Sequence, residues 1–165
     1  KKMTKKTINQ RRQENYLITI LALVSLVLSN LALPWTENPS SMPNYFIALI
    51  VISVVLEKAN LNLSKLFIIG LLVDLILGQI LGQYALIFIS IYALNFLIGK
   101  ILIIKTETQI LSLSSFIILV SFFVLWATSQ SHDIIIPLGL LFHQFILTLF
   151  ILLILKFTIN PFTTK

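Results

Sequence analysis

GLLVDLILGQILGQYAL, residues 70–86, places Gly70, Asp74, Gly78 and Gly82 at every fourth position. On a helix this spacing stacks them along one narrow face, since residues four apart lie one above the other. Asp74 is the only carboxylate within any apolar run of the chain, and its three companions have no side chain. A face so stripped of bulk, with a carboxylate to satisfy, calls for a close neighbour.

Composition identifies the solvent around that face. Of 165 residues, 58% are hydrophobic and 11% charged, and the mean hydropathy is +0.99. Soluble domains carry about a quarter charged residues, so the chain is predicted to lie in a bilayer. A secreted protein with one apolar leader does not fit, because apolar runs recur to the C-terminus and no small-residue cleavage site follows Leu33. The absence of cysteine excludes disulfides, thiolate nucleophiles and thiolate metal sites. A net charge of +6 would suit nucleic acid, but the bases form no stripe interleaved with aromatics.

Residues 1–15 hold Lys1, Lys2, Lys5, Lys6, Arg11 and Arg12 against Glu14, and are predicted to form a basic cytoplasmic tail. A single all-α membrane domain over 16–157 follows. Its six expected transmembrane helices cover 16–33, 45–57, 65–78, 83–104, 110–127 and 134–156, with a short cytoplasmic tail at 158–165. Pro34, Pro39 and Pro43 break the chain after the first run, and Trp35 suits the headgroup level. The apolar runs 45–56 and 66–77 make only about 18 Å of helix each, well short of a hydrocarbon core of roughly 30 Å. Their ends must therefore borrow polar flanks or be hidden in protein.

With both termini cytoplasmic, all 12 basic residues fall in inside segments. Lys58 and Lys65 lie in the second connection, Lys100 and Lys105 in the fourth, and Lys156 and Lys165 at the C-terminus, while the outside connections hold Glu37 and Asp133. This bias supports six crossings in that orientation and explains the positive charge without nucleic acid.

Within the membrane, Asp74 has two readings: a proton, ion or partner site, or a polar clasp on backbone amides freed around Gly78 to Gly82 or on another helix. Gly70 suits close helix packing, and Gly78 with Gly82 suits a turn. His143, about ten residues into the last run, is more readily a histidine bonded to another helix than a proton shuttle. His132 and Asp133 lack a third ligand nearby, so no metal site is expected. Ser90, Tyr92, Asn95 and Ser121 have no base at a useful spacing, so no catalytic or cofactor-binding residue is expected.

Pro43-Asn44-Tyr45 opening a short apolar run, Lys58 and Asn62 in the next connection, and the Gly70, Asp74, Gly78, Gly82 series leading into a long span resemble the bacterial rod-shape-determining MreD family. Residues 43–95 carry the specific part. Tyr45 stands where tryptophan is frequent in that family, and its usual basic pair is spread over Lys58 and Lys65. The resemblance implies a non-enzymatic, multi-pass scaffold of the inner membrane in the cell elongation (rod) complex, which serves side-wall peptidoglycan synthesis and cell shape. Its implied partners are the transmembrane helix of MreC, then MreB, RodZ, a SEDS glycosyltransferase and a penicillin-binding transpeptidase. Gly70, Asp74, Gly78, Gly82, Pro43 and Asn62 become the expected packing or partner-binding residues. The family is similar in fold to the substrate-binding subunits of energy-coupling-factor transporters, which supplies an alternative, a vitamin-binding membrane subunit. That alternative expects a stripe of alanines on the first helix, which Ala22 and Ala32 do not form.

Overall fold

The computed structural model describes residues 43–56, 61–77, 80–101, 106–131 and 137–159, together with Ile20, Ala22, Val24, Ser25 and Val27, which are helical. Five helices follow: α1 (Tyr45–Val55), α2 (Leu63–Leu77), α3 (Gln83–Ile101), α4 (Glu107–Gln130) and α5 (Leu138–Ile159). No strand occurs among the described residues. Among the described residues, three helical segments are long and apolar enough to cross a membrane: Gln83–Ile101, Glu107–Gln130 and Leu138–Phe157. Most of the run 16–33, and both terminal tails, lie outside the described residues.

The shortest helix stands at the centre. α1 is apolar all round, and nine of its residues, Phe46 to Val54, are buried without interruption, as befits a helix enclosed on every side. It packs against α3, α4 and α5. α1 runs parallel to α3, since Asn44 meets Tyr84 at one end and Val54 meets Asn95 at the other. α4 runs antiparallel to α3 and α5, with Phe122 edge-on to Phe145 at 5.9 Å and Glu107 paired to Lys156. In a bilayer, packing rather than water exclusion holds such helices together, and the enclosed Ile47, Ile52, Ile87, Phe88, Ile117 and Leu152 provide it.

α2 is the peripheral member. It packs on α3, antiparallel, through a strip of four buried residues, Leu66, Gly70, Val73 and Asp74. Ile69, Leu71 and Leu77 are half-buried, and its outer surface, including Phe67, Ile68, Leu72, Leu75 and Ile76, is exposed. A Cβ on Gly70 would sit 2.5 Å from the Ala85 nitrogen and 2.9 Å from the Tyr84 carbonyl carbon. Backbone meets backbone there, and only glycine fits.

Several expected boundaries are corrected. α4 starts at Glu107 rather than 110, because Thr106 caps it: its Oγ1 accepts from Gln109 N and the Gln109 side chain accepts from Thr106 N. α4 also runs past 127 to Gln130, so Thr128 to Gln130 are helix rather than connection. Thr128 and Ser129 stay helical by donating back to the carbonyls of Val124 and Leu125, at 2.9 Å each. α5 continues beyond 156 to Ile159. Lys156 does not end it: its Nζ lies 2.9 Å from Glu107 Oε2 and donates to the Glu107 carbonyl at 3.3 Å. α1 stops at Val55 and α2 begins at Leu63, a turn or less from the expected limits.

Gly70→Leu is expected to separate α2 from α3 and lower stability by roughly 1–3 kcal/mol or more, read as a fall in the midpoint of thermal unfolding in detergent. Gly99→Ala, where an added Cβ meets open space, should leave that midpoint unchanged or slightly raised.

Candidate functional site: a polar clasp between helix ends

The first turn of any helix leaves backbone N–H groups without partners, and in a bilayer no water replaces them. The α2–α3 turn meets this demand with Asp74. Its side chain, 1% exposed, accepts from Gly82 N through Oδ2 at 2.8 Å and from Tyr84 N through Oδ1 at 2.8 Å. Gly82 makes the geometry possible with a φ of 94°, a left-handed conformation costly for residues with a Cβ. Of the two readings given to Asp74, this is the clasp arrangement, and both carboxyl oxygens are used within the chain.

From the clasp the bonds continue inward. Tyr84, placed by its own amide, accepts through its hydroxyl from Asn44 Nδ2 at 2.6 Å. Asn44 caps α1, its Oδ1 accepting from Ile47 N at 3.2 Å. Its backbone N–H donates to Thr148 Oγ1 at 2.9 Å, and that hydroxyl donates to Gln144 O at 2.7 Å. Four helices are joined in this way by side chains from α2, α3 and α5 and by the cap of α1. Beside it, buried Gln83 ties the start of α3 to the end of α4, its Nε2 donating to Thr128 Oγ1 at 2.9 Å and Ser129 Oγ at 3.1 Å.

The expected site residues divide accordingly. Gly70, Asp74 and Gly82 come together on the α2–α3 contact, all serving the chain's own packing. Pro43 is half-buried beside the network, its carbonyl accepting from Tyr45 N at 3.1 Å. Asn62 is exposed at the opposite end of α2, its carbonyl accepting from Leu66 N at 3.0 Å, so it does not join them. Gly78 lies outside the described residues, as do Lys58, His132 and Asp133. His143 is exposed, in the second turn of α5, and no bond to it is found among the described residues. Ser90 and Ser121 donate back to the carbonyls of Leu86 and Ile117 in their own helices, whereas Asn95 reaches Val54 O on α1 at 3.5 Å.

Gln83, Tyr84 and Thr148 were not singled out from sequence, and Asn44 was named only as part of the Pro43-Asn44-Tyr45 motif, without a bonding role. Asn44 had a usable signal, since an Asn ahead of an apolar run is a preferred cap. The others are isolated polar residues whose partners lie far along the chain. Chemically, the bonds of the cluster run between helices of the chain itself. Among the described residues no group of three or more His, Cys, Asp or Glu could hold a metal ion.

Asp74→Ala takes the acceptor from the buried Tyr84 amide and the half-buried Gly82 amide and should destabilise the protein by roughly 1–3 kcal/mol, most of it from Tyr84. Asp74→Asn, which keeps one acceptor but turns an NH₂ toward the other amide, should fall between Asp74→Ala and the parent. Thermal unfolding in detergent gives the order.

No curated protein matches the chain, and no solved structure does. Residues 10–165 match the family described as rod shape-determining protein MreD. With nearly the whole sequence covered, this apolar helical chain belongs to the MreD family of rod shape-determining proteins.

Proposed function

We propose that the chain is a non-enzymatic scaffold of the bacterial cell elongation complex, crossing the inner membrane six times with both termini in the cytoplasm. In this reading it holds the transmembrane helix of MreC, and through MreC works with MreB, RodZ, the SEDS glycosyltransferase and its transpeptidase in side-wall peptidoglycan synthesis. Family membership supports the role in cell shape. The observation that carries the scaffold reading is α2, fastened by one narrow strip to α3, with Ile69 and Leu77 half-buried beside it, and open over most of its outer surface.

An apolar partner helix suits that open surface, because Ile68, Leu72 and Leu75 present side chains without polar atoms over two turns. The glycine face is not available for it, since Gly70 is closed by Ala85, and α1 is enclosed. Both carboxyl oxygens of Asp74 are taken by backbone amides of the chain, which lends nothing to a vitamin site. The orientation is supported by charge: Lys65, Lys100 and Lys156 stand at the start of α2 and the ends of α3 and α5, which the helix directions place at one end of the bundle.

Ile68→Trp and Leu72→Trp should each lower recovery of MreC with the purified, folded chain by roughly tenfold, equal to about 1.4 kcal/mol. Undiminished recovery overturns the α2 surface as the seat. Cysteine placed at Lys100 should be labelled by a membrane-impermeant maleimide only after the cells are opened, and cysteine at Gln130 in intact spheroplasts. The reverse pattern would invert the orientation.

A further inference from the structure

α5 leaves a broad face uncovered, with Leu138, Phe142 and Ile154 exposed, and a regular seam runs along it. Gly139, His143, Ile146, Phe150, Leu153 and Phe157 are all exposed and succeed one another at intervals of four, three, four, three and four residues. This alternation keeps a seam facing a second helix at a shallow left-handed crossing. At Gly139 an added Cβ would meet open space, so that end of the seam admits a neighbour's side chain.

The apolar members suit lipid as well as protein, and His143 decides between them. It lies about 8 Å inside the outer end of the apolar window Leu138–Phe157. An ionisable ring at such depth is costly toward lipid and ordinarily faces protein or water. Bilayer insertion gives every copy of the chain one orientation, so the α5 helices of two copies run parallel and their histidines share a depth. An imidazole has an N–H donor at one nitrogen and an acceptor at the other, so two of them bond to each other. A second copy is the one occupant for which the sequence itself guarantees a polar group at the required level. A lone polar residue in an apolar seam also fixes register, because a slip of seven residues would set His143 against Phe150.

We propose that two copies of the chain pair through this α5 seam about a two-fold axis along the membrane normal, with His143 bonded to its counterpart. The pairing requires that the chain lie in a bilayer, and it stands independently of the role in cell-wall synthesis and of the surface on α2.

The chain contains no cysteine, so single cysteines report without background. In membranes containing the full-length protein, oxidation with copper phenanthroline should link Ile146→Cys, Phe150→Cys and Leu153→Cys into dimers several-fold more than Phe123→Cys, which is exposed on α4. Adding His143→Leu to Ile146→Cys should reduce the dimer roughly threefold or more, the size of one interhelical hydrogen bond in a membrane, whereas His143→Asn should preserve it. Thermal unfolding confirms that each variant is folded. Seam yields no greater than that of Phe123→Cys, an adduct with a different protein in place of the dimer, or a dimer undiminished by His143→Leu would each overturn the proposal.

Discussion

Inside a bilayer a backbone amide without an acceptor has no water to turn to, and the arrangement of helices here follows from how that demand is met at the α2–α3 turn. Asp74 serves two amides at once, at Gly82 and Tyr84, so the end of one helix is bound to the start of the next at a set height. Gly70, one turn below Asp74 on the same face, lets the backbones close to a distance that other residues forbid. With Tyr84 held by its amide, its hydroxyl falls where Asn44 needs a partner, and Asn44 in turn positions α1. A carboxyl group that is expensive in lipid becomes the point from which the bundle is registered.

The opposite end is held differently. Lys156, 8% exposed, has its ammonium paired with Glu107, whose side chain is largely exposed. The ammonium also donates to the Glu107 carbonyl at the start of α4. The long stem lies along the bundle while the charged tip reaches a wet partner, the usual behaviour of lysine at a membrane boundary. The protein is therefore pinned by amide-satisfying bonds on one side and by an ion pair on the other, with apolar packing between. Its polar atoms serve the architecture, which accords with a family defined by cell shape.

Much of this was legible in the sequence because two strong signals agree. Apolar runs marked where the helices lie, and the every-fourth-residue pattern at Gly70, Asp74 and Gly82 marked the tight contact. The ends were harder. Thr128 and Ser129 look like loop residues, yet they remain helical by bonding back to their own carbonyls, a choice that depends on Gln83 arriving from another helix. Hydropathy also treats α1 and α2 alike, as short apolar runs, though one is enclosed and the other peripheral; only the packing distinguishes them. Thr148 was invisible for a related reason: a hydroxyl within an apolar helix satisfies itself on its own backbone, and nothing local announces a second bond to Asn44.

The central position of α1 has a consequence for biosynthesis. At 11 residues it reaches only about 16 Å, too short to settle across a bilayer unaided. Its cap amide is satisfied by Thr148, 104 residues further along the chain. At about 5–20 residues per second of synthesis, that bond becomes possible only some 5–20 seconds after Asn44 is made. The short helix α1 is thus completed only when α5 has been made, and a chain truncated before α5 would retain α1 without its full enclosure. Assembly of the bundle closes from α5 back onto α1.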